Sequence, residues 1–210
     1  MGDWRDRWQA RYKANPWLFG REPSAWLVGL DPVLPRKGRA LSLGEGEGRN
    51  AVWLARRGLA VTAVDFAPAA LARAEALAVE ARVPLTLVEA DATRWQPSPG
   101  TFDLVLLIFL QLPPGERVAA HRVARDALAA GGLLVVEAFA PGPWRDCGPE
   151  TDEARYDPAT LEADFCGLEI LELMVGRAVL GEGGRHRGKA SLVRMLARRP
   201  ALDGDASVPR

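Results

Sequence analysis

Cysteine, lysine and long apolar runs are all scarce in this 210-residue chain. The two cysteines, Cys147 and Cys166, lack metal-site spacing, which favours a reduced cytoplasmic protein without a metal. Lysine plus arginine equals aspartate plus glutamate at 27 each, so the basic surplus typical of nucleic-acid binding is missing. The longest apolar run, residues 104–110, is too short to span a bilayer, and the charged N-terminus does not resemble a signal peptide.

Apolar patterning alternates between strand and helix types along most of the chain. Strands are predicted at 39–43, 59–65, 84–91, 102–110 and 133–139, and helices at 49–58, 68–82 and 115–132. Short-spaced alternation of this kind indicates an α/β fold, in which a doubly wound, mostly parallel sheet carries helices on both faces. Residues 167–180 and 189–199 predict instead a C-terminal antiparallel hairpin at or near the sheet edge, with a glycine-rich turn at 181–188.

The first predicted strand leads into the glycine-rich sequence LSLGEGEGRNAVWLA at 41–55, with Gly44, Gly46 and Gly48 at alternate positions. Glycines after a strand let the backbone adopt positive φ angles and approach a ligand closely. The spacing differs from G-x-G-x-x-G and from a P-loop, and Glu45 and Glu47 would repel a pyrophosphate. The acids suit a cationic end, such as the ammonium or sulfonium of S-adenosylmethionine (SAM). A plain tight turn and solvated glutamates are the alternatives.

Two further acids follow the next strands. Asp65 lies 17 residues after Gly48, at the end of the second strand, where a carboxylate can accept hydrogen bonds from both hydroxyls of a ribose. Asp91 ends the third strand, at the same sheet edge, and could accept a hydrogen bond from an adenine amino group. For both residues the alternative is a helix N-cap.

These motifs together resemble the class I SAM-dependent methyltransferases. The resemblance rests on LSLGEGEGR, VTAVDFAP, EADAT and FDLVLLIFLQLPP. Within the class, the chain is most similar to the tellurite-resistance and thiopurine-methyltransferase-like enzymes, through RYKANPWLFGREPSAWL, GEGRNAVWLA and GEGGRHRGKASLVRMLARR. It departs from the family pattern at Ser42, where an acid usually precedes the first glycine by two residues. Glu45 or Glu47 is a candidate to replace that acid.

The resemblance implies a seven-stranded Rossmann-like fold, SAM as cofactor and a small-molecule acceptor. It implies three parts: an N-terminal aromatic lid at 1–30, the methyltransferase domain at 31–199 and a flexible tail at 200–210. We expect a monomer or homodimer that binds neither nucleic acid nor membrane. The cofactor-binding residues carried over onto this sequence are Tyr12, Phe19, Gly20, Gly44, Glu45, Gly46, Gly48, Asn50, Asp65, Phe66, Asp91, Ala92 and Ile108.

The acceptor side is predicted from two segments. Six aromatic residues between 4 and 26 could cover the donor or simply pack a helix against the sheet. The resemblance places the hairpin turn over the acceptor, which makes His186 and Arg187 the candidate catalytic residues. Together with Arg185 they would bind an oxyanion such as tellurite or selenite, or a carboxylate. An ordinary turn histidine is the alternative, and His121 is interpreted as structural.

The reaction expected is an in-line displacement, in which the protein positions the donor and acceptor and excludes water. A general base is required only for an acceptor that is still protonated, so a thiolate or reduced chalcogen anion needs none. Two other functions remain open from the residues alone: a nucleotide-dependent oxidoreductase and a non-catalytic SAM-binding protein.

Overall fold

One mixed seven-stranded sheet organises the protein, whose computed structural model describes residues 4–201. The strand order is β3-β2-β1-β4-β5-β7-β6. The strands are β1 (Arg39–Leu43), β2 (Ala60–Asp65), β3 (Thr86–Glu89), β4 (Phe102–Ile108), β5 (Leu128–Phe139), β6 (Glu169–Glu182) and β7 (His186–Arg198). The helices are α1 (Trp4–Ala14), α2 (Ala25–Gly29), α3 (Arg49–Arg56), α4 (Pro68–Ala81), α5 (Pro114–Ala127) and α6 (Pro158–Asp164), with a 3₁₀ turn at Asp152–Ala154.

The first five strands are parallel, and β7 runs antiparallel between β5 and the edge strand β6. The predicted fold class is therefore confirmed, including the antiparallel hairpin. Because the chain leaves β1, β2 and β4 at the same sheet edge, the loops that follow these strands converge there. The side chains of Asp65 and of the glycine loop are brought together in this way.

Two predicted boundaries were wrong. The helix predicted over 115–132 ends at Ala127, because the chain turns extended at Leu128, which pairs with Phe102 and begins β5. The helix propensity of this alanine-rich sequence is outweighed here by the burial of Leu128 in the sheet. The turn predicted at 181–188 spans only three residues, since Glu182 and His186 already pair as the last residues of the hairpin ladder.

Both faces of the central strands are buried, as their near-continuous apolar sequences require. Leu41, Val105 and Val136 pack into the cluster that contains α5 and α6 residues. Their neighbours Ala40, Leu104 and Val135 pack on the opposite face with α2 and α3 residues. No helix within residues 4–201 is long and apolar enough to cross a membrane.

Helix α1 lies across the ends of the parallel strands. The Trp4 indole donates to Glu116 at 3.0 Å, Arg5 forms a 2.6 Å ion pair with Asp91, and the Gln9 amide donates to the Phe66 carbonyl at 3.3 Å. The part of the predicted front segment that the structure describes is therefore attached to the loop edge of the sheet. Positions 1–3 and 202–210, including most of the predicted tail, lie outside the described residues.

Candidate active site

Each loop glycine lies against a different element. Gly44, Gly46 and Gly48 have φ angles of 65°, 69° and 92°. A Cβ would lie 2.6 Å from Leu110 at Gly44, 2.8 Å from the Tyr12 hydroxyl at Gly46 and 2.7 Å from the Ala74 Cα at Gly48. The bare backbone thus lets the β4 loop, α1 and α4 all approach one turn, and a simple tight turn would not require this.

Glu45 lies beside Ser42, the position at which the family pattern has an acid. Its carboxylate accepts hydrogen bonds from the Ser42 hydroxyl and, at 3.0 Å each, from the backbone N–H groups of Asn50 and Ala51. It is buried at the N-terminus of α3, where the helix dipole favours a negative charge. Burial raises the pKa of Glu45, and the hydrogen bonds from Ser42 and Ala51 oppose that rise.

Glu47 does not line the cavity that Gly44, Glu45 and Asp65 line. The interpretation that both loop glutamates flank a cation is therefore not supported for Glu47. Its carboxylate accepts from the backbone N–H groups of Trp17 and Leu18 at 2.7 and 2.6 Å, and pairs with Arg73 at 2.8 Å. The two glutamates therefore have different partners. Glu45 lines the cavity, and Glu47 ties the glycine loop to the front segment.

Asp65 projects into the same site from the end of β2. One carboxylate oxygen accepts from Gly46 N–H at 2.8 Å and the other from Ala67 N–H at 2.9 Å. Burial raises the pKa of Asp65 to about 6, and the backbone hydrogen bonds oppose that rise. The N-cap of α4 is Ala67, so Asp65 is not the cap residue itself. It remains a buried acceptor that faces the pocket.

Asp91 and Ala92 are not among the residues that line the pocket. The Asp91 carboxylate is occupied by Arg5, at 2.6 and 3.0 Å, and by the Thr93 N–H and hydroxyl at 2.9 and 2.7 Å. The Ala92 side chain packs in the core. Contact between Asp91 and an adenine would therefore require Arg5 to give up its ion pair.

The pocket at the glycine loop has the chemistry of a SAM site. Asp65 offers an ionisable acceptor, Phe66 and Ile108 supply apolar walls, and Gly44, Glu45 and Asn50 form the loop side. Tyr12, Trp8 and Phe19 close it from the front segment. Its volume is about 80 Å³, below the roughly 300 Å³ of small-molecule sites. The residue types present fit SAM.

A second cavity, of about 770 Å³, adjoins the first. The walls shared by both are Trp4, Trp8, Phe19, Phe109, Gln111 and His186. Most of the remainder comes from Arg7 and Arg11 on α1, from residues 184–187 at the end of the hairpin and from the segment 146–151. The sequence analysis identified the first two of these contributors and missed the third.

His186 lies at the junction of the two cavities and is 5% exposed, unlike an ordinary turn histidine. Its ring packs 4.3 Å from Phe19, 4.4 Å from Phe109 and 5.2 Å from Phe139, between ring centroids. Burial lowers its pKa, and the charge of Arg49 lowers it further, whereas Glu182 opposes the shift. His186 opens β7 rather than lying in the turn.

Arg187 is exposed at the rim of the large cavity, and its Nε donates to the Gly183 carbonyl at 2.7 Å. Gly20, predicted to contact the cofactor, lies outside both cavities and packs against the same turn. A Cβ on Gly183 would lie 2.3 Å from the Gly20 nitrogen. The N–H groups of Gly184 and Arg185 both donate to the Leu18 carbonyl at 3.1 Å. The hairpin and front segment thus form one wall.

Sequence reasoning missed Arg49, Glu182, Phe109 and Gln111. Arg49 is buried, forms a 2.8 Å ion pair with Glu182 and donates to the Phe19 carbonyl at 3.2 Å. Phe109 has a φ of 57°, which turns its ring into the site and which no sequence pattern indicates. Gln111 carried a usable signal, since it is the one polar side chain in FLQLPP.

The second histidine belongs elsewhere. His121 Nδ1 lies 2.8 Å from Asp164, and its ring stacks on Phe165 at 4.6 Å, between α5 and α6. It lines neither cavity, in agreement with the structural interpretation. Within residues 4–201 there is also no group of three or more His, Cys, Asp or Glu side chains placed to hold a metal.

Comparison with known proteins finds a domain family and several solved structures to which this chain is similar. Residues 40–132 match the family model of a methyltransferase domain. No curated protein matches the chain in sequence. A solved structure concerned with converting a disulfide bond into a thioacetal group during echinomycin biosynthesis matches with a TM-score of 0.75 at 20% identity, over 94% of each chain.

Two further solved structures share the fold. The N-methyltransferase NodS from Bradyrhizobium japonicum, in complex with S-adenosylhomocysteine (SAH), has a TM-score of 0.69 at 18% identity, over 94% of this chain and 100% of its own. TehB from Haemophilus influenzae has a TM-score of 0.66 at 19% identity, over 82% of this chain and 61% of its own. At these identities the similarity concerns the fold and does not single out the tellurite-resistance group.

The matched domain begins at Ala40 and so includes the glycine loop, Asp65 and the end of β4 that line the smaller cavity. The domain match, the strand order and the fit of that cavity to the cofactor all agree. Residues 40–132 are accordingly a methyltransferase domain, and the residue types that line its smaller cavity fit S-adenosylmethionine.

Proposed function

We propose that the protein methylates a small-molecule acceptor held in the 770 Å³ cavity. The observation that carries this proposal is the wall of six residues common to both cavities. If SAM is the donor held in the smaller cavity, these shared walls place the donor site beside the larger space. That space is in the size range of sites for small organic ligands, about 300–1,000 Å³.

Charge at the cavity favours an anionic acceptor. Arg7, Arg11, Arg185 and Arg187 line it, against two acids, Asp146 and Glu150. Guanidinium groups bind carboxylates and oxyanions through paired hydrogen bonds. Two acceptor classes follow: an organic anion that carries a thiol, and an oxyanion such as tellurite or selenite. The cavity volume favours the organic anion, and the sulfur chemistry of the echinomycin-related structure supports a thiol.

Residues 4–30, the described part of the front segment, are proposed to act as the lid of this site. It closes the donor pocket through Trp8, Tyr12 and Phe19, and it is held to the loop edge by the Arg5–Asp91 ion pair. An opening of this segment would admit the cofactor. The enzyme would then work on a free small molecule, as a monomer or homodimer, without nucleic acid or membrane.

The proposal is tested with radiolabelled SAM and four acceptors: 2-mercaptobenzoate, its methyl ester, selenite and tellurite. We expect transfer to 2-mercaptobenzoate to exceed transfer to the uncharged ester. Arg185→Ala should reduce that preference, whereas Arg177→Ala, on the same hairpin but outside both cavities, should leave it unchanged. SAH binding without transfer to any acceptor would instead favour a non-catalytic SAM-binding protein. Equal use of acid and ester would contradict the anionic acceptor.

A further inference from the structure

Within the proposed function, the junction of the two cavities has an unusual composition. Of the six residues that line both, His186 is the only one with a side chain that titrates near neutral pH. The others are tryptophans, phenylalanines and a glutamine. An acceptor held in the larger cavity and a methyl donor held in the smaller one would both lie against these six residues, and His186 is the one among them that can take a proton near neutral pH.

His186 is held on one side by a chain of charged groups. Its Nδ1 lies 3.4 Å from the Glu182 carboxylate, a long contact of the kind that tightens in a substrate complex. Glu182 in turn forms the 2.8 Å ion pair with Arg49, the first residue of α3 after the glycine loop. A carboxylate that accepts from Nδ1–H fixes the tautomer, because the remaining nitrogen, Nε2, is then left without a proton.

From this geometry we propose that His186 is the general base of the methyl transfer, and that Glu182 and Arg49 are positioning residues that set its tautomer. The proposal rests on the proposed function, and it narrows the acceptor to molecules whose nucleophilic atom still carries a proton. Three aromatic rings pack around His186 and leave it 5% exposed.

The methyl transfer moves one proton and one methyl group. The acceptor X–H gives its proton to Nε2 of His186, and the freed electron pair on X forms the new bond to the methyl carbon. Bound SAM supplies that methyl group, and the electron pair of the broken carbon–sulfur bond stays with sulfur. The products are X–CH₃, SAH and a protonated His186, which releases its proton through the large cavity.

The charged neighbours of His186 define its pH behaviour. Glu182 from β6 favours the protonated ring, whereas Arg49 from α3 and Arg185 from the turn disfavour it, as does burial. The lowered pKa keeps the ring neutral and able to accept a proton near pH 7. Removal of the Glu182 carboxylate should lower the pKa further and move the acid limb of the rate profile to lower pH.

The first test needs no acceptor. The chain has only two histidines, so ¹⁵N-histidine NMR resolves both rings, with His121→Gln providing the assignment. We expect Nδ1 of His186 to be protonated and Nε2 to be bare near pH 7, with this preference lost in Glu182→Ala. A His186 ring protonated at Nε2 in the parent protein would overturn the inference while leaving the proposed methyl transfer intact.

The second test compares two acceptors: 2-mercaptoethanesulfonate, whose thiol is protonated near pH 7, and 4-nitrothiophenol, which is ionised. His186→Gln should lower kcat for the protonated thiol by about 10²- to 10⁴-fold, and for the ionised thiol far less. SAH affinity, measured by calorimetry, should change less than about threefold. The acid limb should move to lower pH in Glu182→Gln and be restored in Glu182→Asp. Equal loss with both thiols would show that His186 only shapes the cavity.

Discussion

The donor and acceptor sides of this site are built in different ways. The largest single contribution to the donor side comes from one continuous stretch, 43–66, in which two strand ends and a glycine loop surround the buried carboxylates of Glu45 and Asp65. The acceptor side is assembled from four distant segments and is lined by arginines, several of them exposed. The difference indicates that recognition of the constant cofactor is encoded locally, whereas recognition of the acceptor depends on how distant loops meet.

The largest effect is expected from the donor side, where backbone geometry is most demanding. Gly48→Ala places a Cβ 2.7 Å from the Ala74 Cα at a φ of 92°. Strain and overpacking should together reduce the free energy of unfolding by about 2–4 kcal/mol, as measured by urea denaturation. The matched control is Gly176→Ala, where a Cβ has no neighbour within 4 Å. Similar stability for both variants would contradict this account of the loop.

Glu47 connects the two sides, so its substitution should affect both. Glu47→Gln weakens a buried acceptor of two backbone N–H groups and removes the ion pair with Arg73. We expect a loss of about 2–3 kcal/mol in the free energy of unfolding, with weaker binding of SAH and of acceptor. Glu80→Gln, at an exposed pair, is the control and should change stability by less than about 0.5 kcal/mol. Weaker binding of SAH alone, or of the acceptor alone, would contradict the proposed connection through Glu47.

Asp65 gives ligand binding on the donor side a pH dependence of its own. Asp65→Ala should weaken SAH binding by about 1–3 kcal/mol through the lost acceptor. Because burial raises the Asp65 pKa to about 6, SAH affinity should fall by up to tenfold per pH unit below that value. Stability should move the other way. The folded-state pKa lies above the unfolded one, so protonation favours the folded state as pH falls from about 6.

Calorimetry with SAH and thermal unfolding, each between pH 5 and 7.5, test whether SAH affinity falls and stability rises as the pH is lowered. Asp126→Ala, at an exposed position, should behave like the parent protein. An affinity that does not vary with pH across this range, in a protein that stays folded, would show that Asp65 does not contact the ligand.

The smallest effect is expected at the lid. Arg5→Ala removes a partly exposed ion pair with Asp91 and should change stability by less than about 1 kcal/mol. It should nevertheless speed hydrogen exchange in α1 and accelerate SAH association. Arg36→Ala, at the exposed pair with Asp31, is the control. Unchanged exchange in α1 would mean that this ion pair does not hold the lid.

Several elements were predicted from sequence with accurate bounds, among them β1, α4 and the parallel core. Their patterns are local: a period-two or period-3.6 repeat, closed by glycine or proline. The boundary at Leu128 was missed because alanine-rich sequence is compatible with a helix, and only pairing with Phe102 makes it a strand. The roles of Glu45 and Glu47 were equally undecided, since adjacent loop positions differ only in which neighbour each one meets.

The sequence by itself thus determined the fold class and the donor chemistry, because the glycine spacing and the acid at the end of β2 are short-range features. The tertiary structure alone decided that Asp91 is engaged by Arg5, that Glu182 faces His186 and Arg49, and that the segment 146–151 completes the acceptor cavity. These contacts join residues far apart in the chain. Such pairs form only because folding buries both residues in one site, so no local pattern in the sequence predicts them.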